Sequence, residues 1–400
     1  MNEEIVISGM GIYSALGLGL QNNFFQLSQS RDALSSLEFL DTIYQNEYPF
    51  GEIKKSTSEL KSDLGISTEK IFTRTSLLGI SAVKEALQHA NIKNRSQYKV
   101  GLINATTVGS MCEVEKYYFE IFEHIDHFND YAKTIDCADC TQQIADYFQL
   151  KDFITTISTA CSSSANAIIL GSRLLQRGII DIAICGGTDA LTKFTIDGFN
   201  ALKNIDKKYC APFDADRNGL NLGEGAAYVV LEKESHCLNR NHTPIARLAG
   251  YSNFNESFHP TAPNPKGEGA FQVMKKAIEK AKINKSEIDY INAHGTATLT
   301  NDESESNAMK RLFGDVPDFS STKCYTGHTL GAAASIEAVF SILALQNQSV
   351  YANLNFKTPI EDSLLIPQLK FEHKKLNYVM SNSFAFGGNN ASLIFSIYST

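Results

Sequence analysis

The sequence predicts an α/β fold. Short apolar, strand-like runs alternate with longer runs of helical periodicity. Several of the short runs are apolar throughout, as strands covered on both faces are. No low-complexity tract or long Pro/Ser linker breaks the alternation. In chain order, strands are expected at Ile5–Ser8, Val100–Asn104, Ile182–Cys185, Ala227–Leu231, Ile288–Ile291, Tyr378–Ser381 and Ser392–Ile397. Helices are expected at Leu77–Ala90, Ala165–Arg177, Gly269–Ala281, Asp302–Leu312 and Ala332–Gln346. The most polar connection, Lys233–Thr243 (KESHCLNRNHT), marks a boundary between two halves, 1–240 and 241–400, whose similar style points to an internal duplication. Residues 110–150, with Tyr117, Tyr118, Phe119, Phe122 and Phe128, fit neither pattern and read as an inserted helical or interface segment.

The chain's 400 residues leave room for two or three domains, or one large duplicated unit. With 43% hydrophobic and 20% charged residues, disorder and collagen-like order are excluded. A net charge of −8 makes the chain a poor tracker of a polyanion, so nucleic acid is not an expected partner. Eight cysteines are too sparse for a small disulfide scaffold. The start, MNEEIVISGMG, has neither a basic region nor a long apolar core, which favours a reducing cytoplasm over secretion. No run reaches the ~18 apolar residues that a membrane span needs.

Four segments carry chemical potential. In Ile157–Gly178 (ISTACSSSANAIILGSRLLQRG) an extended run meets Cys161, three serines and then a helical pattern. Ser162–Ser164 are expected to cap the helix, and its N-terminal dipole to favour thiolate at Cys161, giving a nucleophile. The bland alternative is a small buried residue. In Tyr290–Asp302 (YINAHGTATLTND), His294 follows a buried-strand pattern and precedes a glycine, a place from which it can face a cleft. A lone histidine there is otherwise a satisfied core residue. In Ser321–Gln346, His328 lies just before a helix that opens on Gly331 and Ala332–Ala334, with Lys323 and Glu337 on either side as a charged pair in need of partners. In Tyr378–Phe395, two extended runs flank Phe386-Gly387-Gly388, a loop able to offer backbone N–H groups to an oxyanion, or a plain tight hairpin. Cys137-x-x-Cys140 has half of a zinc spacing and no second pair at a suitable distance, so no metal is assigned.

Taken together, ACSSS, NAHGTAT, STKCYTGHTLGAAAS and NSFAFGGNN resemble the β-ketoacyl-acyl-carrier-protein synthases of the elongating type, and the likeness extends over nearly the whole chain, including VISGMGIYSALG and APFDADRNGLNLGEGAAYVVLE. The resemblance implies the duplicated thiolase-like fold, a five-layered α-β-α-β-α architecture with two five-stranded mixed sheets. It implies a homodimer, with a heterodimer with a synthase-like partner as the alternative, and residues 110–150 at or near the contact. It implies that Cys161 accepts the acyl chain, that the backbone N–H groups of Cys161 and Phe386 form the oxyanion hole, and that His294 and His328 stabilise an enolate. Lys323 then orients the histidines, Glu337 supports it, and Thr296 and Thr298 hold the pantetheine arm. Phe384, Ala385, Phe386, Gly387 and Gly388 form a gating loop. No cofactor of the enzyme's own is implied, because the phosphopantetheine belongs to an acidic acyl carrier protein. Lys70, Arg74 and Lys203 match the carrier-docking region, and Thr107 the acyl pocket.

Departures refine the expectation. A second His, in GHTLGAAAS, disfavours the initiating synthases, and SFAFGGNN lacks the second cysteine of thiolases. A pocket-only partner subunit would lack the nucleophile, and a serine hydrolase would need glycines around ACSSSAN. The gating loop has Ala385 for a glycine and Asn389 for a threonine, and the Ala385 Cβ is expected to restrict its states. GLNLGEGAAY and NAHGTATLTND are closer to synthases of aryl polyene or flexirubin-type pigment pathways than to housekeeping ones.

Overall fold

The computed structural model describes residues 3–92, 95–118, 120 and 133–398. Ten principal strands form the frame. The first five are β1 (Ile5–Ser14), β2 (Val100–Ala105), β3 (Phe153–Ile157), β4 (Ile182–Asp189) and β5 (Gly225–Lys233). The second five are β6 (Ala246–Asn255), β7 (Tyr290–Asn292), β8 (Asp318–Ser320), β9 (Tyr378–Phe384) and β10 (Asn389–Ile397). The first set lies in the order β3-β2-β4-β5-β1 and the second in the order β8-β7-β9-β10-β6. These are the same order when each set is numbered from its own start. The senses match too: the first three strands in each order pair in parallel, and the fourth pairs antiparallel to both of its neighbours. The two sets are not separate sheets. They join at one corner, where Val6 and Ile7 of β1 pair with Arg247 and Ala246 of β6.

Helices repeat in the same places. α1 (Arg74–His89), α2 (Cys137–Phe148) and α3 (Ser163–Gln176) follow the first three strands, and α4 (Lys193–Ala201) follows β4. In the second half α5 (Glu268–Ala281), α6 (Leu299–Phe313) and α7 (Ala333–Asn347) follow β6, β7 and β8. Alternation along the strands divides the cores. Leu102, Ile184 and Val230 meet α1 and α2 on one face, while Ile103, Cys185 and Val229 face α3 and α7 on the other. Met380 and Ile394 likewise meet α5 and α6, while Val379 and Leu393 turn to the shared centre. The result is five layers, with α3 and α7 buried between the sheets.

Several expectations shift. The strand expected at Ile288–Ile291 begins at Tyr290, because Lys285–Glu287 winds into a 3-10 turn with an Asn284–Glu287 capping box. Within 110–150, Cys137–Phe148 is no insertion: it is α2, the counterpart of α6, with Cys140 and Ile144 in the outer core. Phe119, Phe122 and Phe128 lie outside the described residues. Among the described residues one helical stretch, Leu330–Asn347, passes for a membrane span by length and composition, although its apolar run is broken by Ser335, Glu337 and Ser341. It is 89% buried within the fold, which explains its apolarity: α7 has no solvent face to make polar.

Candidate active site

The chain segments that follow β3, β7 and β8 carry the chemistry. After β3 the chain turns through Ala160, held at φ 51, a left-handed value that costs a residue with a Cβ. Cys161 follows, two residues before α3, and is only 7% exposed. The three serines do not cap the helix as expected. Ser162 and Ser163 instead donate their hydroxyls back to the carbonyls of Thr159 and Ala160, bracing the turn that presents Cys161.

His328 stands opposite, on the turn before α7, with Nε2 3.1 Å from Cys161 Sγ. Its backbone is clamped by Asn221 and Gly223: its N–H donates to Asn221 O and its carbonyl accepts from Gly223 N. The Leu330 amide donates to His328 Nδ1 at 3.2 Å. Leu330 sits at φ 52. His294 follows β7, and its ring meets that of His328 edge-on at 5.6 Å. Lys323 Nζ lies 3.2 Å from His294 Nδ1, donates to His294 O at 2.6 Å, and pairs with Glu337. In each imidazole Nδ1 thus faces a donor, which assigns the neutral ring's proton to Nε2, on the cavity side. Burial first, and the Lys323 charge second, hold both histidines well below the usual imidazole range, so they are neutral donors.

The sulfur and the two imidazoles place their ligand-type atoms within 4.8 Å of one another. A metal there would need the Nε2 lone pairs, and the Nδ1 partners put protons on those atoms. The set suits hydrogen-bond donation to an anion better than metal ligation.

Burial pushes the Cys161 thiol up to about 11, with Lys323 the main opposing charge. The expected thiolate is therefore overturned. Desolvation at this closed turn outweighs the helix dipole. The backbone N–H groups of Cys161 and Phe386 both approach the sulfur. Phe386 lies flat against Phe199 of α4, ring centroids 5.8 Å apart, and Gly387 N donates to Pro260 O. Gly388, at φ 74, could not be replaced: a Cβ would sit 1.8 Å from Glu256 O. Ala385, at φ −124 and ψ 153, is in extended backbone that any residue adopts.

The cavity beside Cys161 measures about 50 Å³ and is lined by His294, His328, Thr296, Thr298, Phe384 and Phe386, among others. It is closed to an acyl chain in this state. Thr296 and Thr298 share a hydroxyl hydrogen bond of 2.8 Å. Thr107 does not line it; its hydroxyl is given to Asp189. A much larger cleft of about 1000 Å³ opens where β1 meets β6, but its lining (Glu3, Glu4, Arg247, Lys280 and others) includes none of the residues expected from sequence.

Of the three docking cations, Lys70 and Lys203 are exposed, and Lys203 adjoins Asn204 on the cavity wall. Arg74 is a correction. Its guanidinium is buried on Glu224 and donates to the Ile53 and Lys55 carbonyls, so no charge remains for a partner. Sequence reading missed Glu305, whose carboxylate accepts the N–H groups of His294 and Gly295, and Asp302, which accepts those of Phe213 and Ala297. Both lie in a run, NDESESN, that reads as a solvated helix face. Only their burial reveals the role.

Fold and site together define an enzyme class: an acyl-transferring enzyme built on a duplicated five-layer α/β frame, with two neutral imidazoles beside a buried thiol. Within that class the chain belongs to the β-ketoacyl synthases. The family's N-terminal domain model matches residues 2–236 and its C-terminal domain model residues 245–357. The chain is 32% identical to 3-oxoacyl-(acyl-carrier-protein) synthase 2 of Rhizobium meliloti, over 99% of both chains. Among solved structures it is similar to the ishigamide ketosynthase/chain length factor (TM-score 0.92, 27% identity, all of both chains). It is also similar to the ketosynthase ApeO in complex with its chain length factor ApeC from Xenorhabdus doucetiae (TM-score 0.84, 29% identity, 99% of this chain and 98% of the other).

Proposed function

We propose that the protein joins an acyl thioester, held on Cys161, to malonyl-acyl carrier protein by decarboxylative Claisen condensation, giving a β-ketoacyl carrier two carbons longer. The observation that carries this reading is a pair of buried imidazoles, each with Nδ1 against a donor, beside a buried thiol. In the first step the sulfur adds to the carrier thioester, a C–S bond forms, and the thiol proton leaves with the departing pantetheine sulfur. The carbonyl oxygen is held by the N–H groups of Cys161 and Phe386. Malonyl thioester then loses CO2. The electron pair of the broken C–C bond becomes an enolate, whose oxygen takes hydrogen bonds from His294 and His328. The carbanion attacks the acyl-Cys161 carbon, and collapse returns the sulfur as thiolate.

Lys323, paired with Glu337, is read as orienting His294, and Thr296 and Thr298 as holding the pantetheine arm. Phe384–Gly388 is read as the gate, because Phe386 covers Cys161 while stacked on Phe199. The enzyme needs no cofactor of its own, the phosphopantetheine being the carrier's. Lys70 and Lys203 are proposed to meet an acidic carrier protein. Thr107 remains assigned to the acyl pocket, reached only when the gate opens. Residues 1–240 and 241–400 are read as the two halves, in keeping with the repeated strand order. A homodimer is the expected assembly. The relatives that pair with a chain length factor support a heterodimer as the second form. A pigment-type pathway, aryl polyene or flexirubin, is the reading of the pathway. Eight unpaired cysteines suit a reducing cytoplasm.

The test is mass spectrometry on a panel of acyl carriers with malonyl carrier. Acyl-Cys161 followed by a carrier product two carbons longer supports the reading. Thioester hydrolysis without carbon–carbon bond formation would overturn it, as would a failure of Cys161 to acylate.

A further inference from the structure

Asp189 ends β4, deep in the fold and fully buried, and the reaction scheme above does not use it. Its carboxylate meets only neutral donors. Oδ1 accepts from the Thr106 hydroxyl and from Thr107 N at 3.1 Å. Oδ2 accepts from the Thr107 hydroxyl at 2.6 Å, from Thr107 N at 3.1 Å and from Gly331 N at 2.7 Å. A buried carboxylate is expensive unless its lone pairs are filled, and here they are filled from two distant stretches of chain. One is the loop after β2, and the other is the turn that follows His328.

That turn is strained. Leu330 is held at φ 52, a value unfavourable to a side chain with a Cβ. The strained φ sets the bend between two amides: Leu330 N–H, which donates to His328 Nδ1, and the one that follows it. The next amide, Gly331 N–H, is the one Asp189 grips. Gly331 also has no room for a side chain: a Cβ would lie 2.8 Å from Asp189 Oδ2 and 3.0 Å from Thr107 Cγ2.

We infer that Asp189 is a positioning residue, whose carboxylate holds the Leu330–Gly331 turn so that the Leu330 amide keeps His328 in its Nε2-protonated form. The same carboxylate ties that turn to Thr107, so the acyl-pocket segment and the enolate donor share one anchor. The inference rests on the proposed role of His328 as a donor and goes beyond it.

The test is long-range nitrogen–proton NMR on protein carrying labelled histidine, with the His328 signal identified by its loss in His328→Asn. Wild type should show Nδ1 bare and Nε2 protonated. Asp189→Asn puts an amide N–H where a donor must be accepted. Gly331→Ala leaves Asp189 charged but displaces it. Both should show mixed His328 tautomers. Malonyl-carrier decarboxylation should fall by about tenfold or more, part of what losing an oxyanion donor costs, and by more than Cys161 acylation, which the shared Thr107 anchor also touches. If Asp189→Asn does not fold, Gly331→Ala carries the same test. An unchanged His328 pattern in a folded variant would overturn the inference. A wild-type His328 protonated at Nδ1 would instead remove the donor role on which it rests.

Discussion

Replacing Lys323 by alanine should cost up to about 1.4 kcal/mol more stability at about pH 8 than in mild acid, because Glu337 then has to take up a proton or stay ionised unpaired. The Lys323 and Glu337 side chains are only 4% and 3% exposed. Glu337 Oε2 has no hydrogen-bond partner, so its charge is balanced by Lys323 alone. Even with Lys323 present, burial raises Glu337 from 4.5 to about 7. Each tenfold change in acidity is worth about 1.4 kcal/mol, so that displacement is a penalty of about 3 kcal/mol for keeping the carboxylate ionised. Without Lys323 the value moves higher still. A carboxyl whose folded pKa is raised contributes its stability fully below the unfolded value, near 4.5, and loses it as the pH climbs through the folded value, at 7 and above. The gap between Lys323→Ala and wild type should therefore open above neutrality and narrow towards about pH 5.5. Urea denaturation at the two pH values measures it. Adding Glu337→Gln to Lys323→Ala should recover more stability at the higher pH than at the lower. Equal losses at both, with no recovery, would refute the reasoning.

Cys161→Ala should fold normally and neither acylate nor condense. Iodoacetamide should label Cys161 at a rate that climbs with pH towards about 11, where its thiolate forms; a labelling rate independent of pH would contradict that burial. His294→Ala and His328→Ala should each lose about a hundredfold or more in malonyl decarboxylation and far less in self-acylation, measured as separate half-reactions. Charge reversal at Lys70 should raise KM for carrier substrates. Arg74→Ala should leave that KM alone and instead cost about 3–5 kcal/mol in denaturation, because it strands Glu224. Ala385→Gly should widen the range of acyl chains accepted; coincident product profiles would show that the gate does not use left-handed backbone at this position.

Several of the strands expected from sequence are apolar along their length, because layers on both faces demand it. β6 escaped notice because its exposure alternates and its second half, YSNFN, is polar. It crosses the seam where two sheets meet, and that neighbour is invisible in a local window. Cys161, His294, His328 and Lys323 were each weak as single residues and became legible only as a set in a fixed order. What the chain order could not supply was depth. The Cys161 turn looked like an exposed helix end, and so like a thiolate; Arg74 looked like a surface cation; Glu305 and Asp302 lie in a run that reads as a solvated helix face. In all four, burial reverses the reading, and burial is a property of the assembled layers.

The repeated strand order bears on how such a site can arise. Cys161 and His328 occupy corresponding turns, each after the third strand of its half and just before a buried helix, α3 in one and α7 in the other. The two helices are further stitched together where Ser335 N donates to the Ser164 hydroxyl at 2.9 Å. In a symmetric pair of identical units, both turns would have to bear the same residue, two thiols or two imidazoles. A single chain holding both copies escapes that restriction. One turn can carry a thiol and its twin a hydrogen-bond-donating imidazole, so a near-symmetrical scaffold permits a division of labour that symmetry itself would forbid.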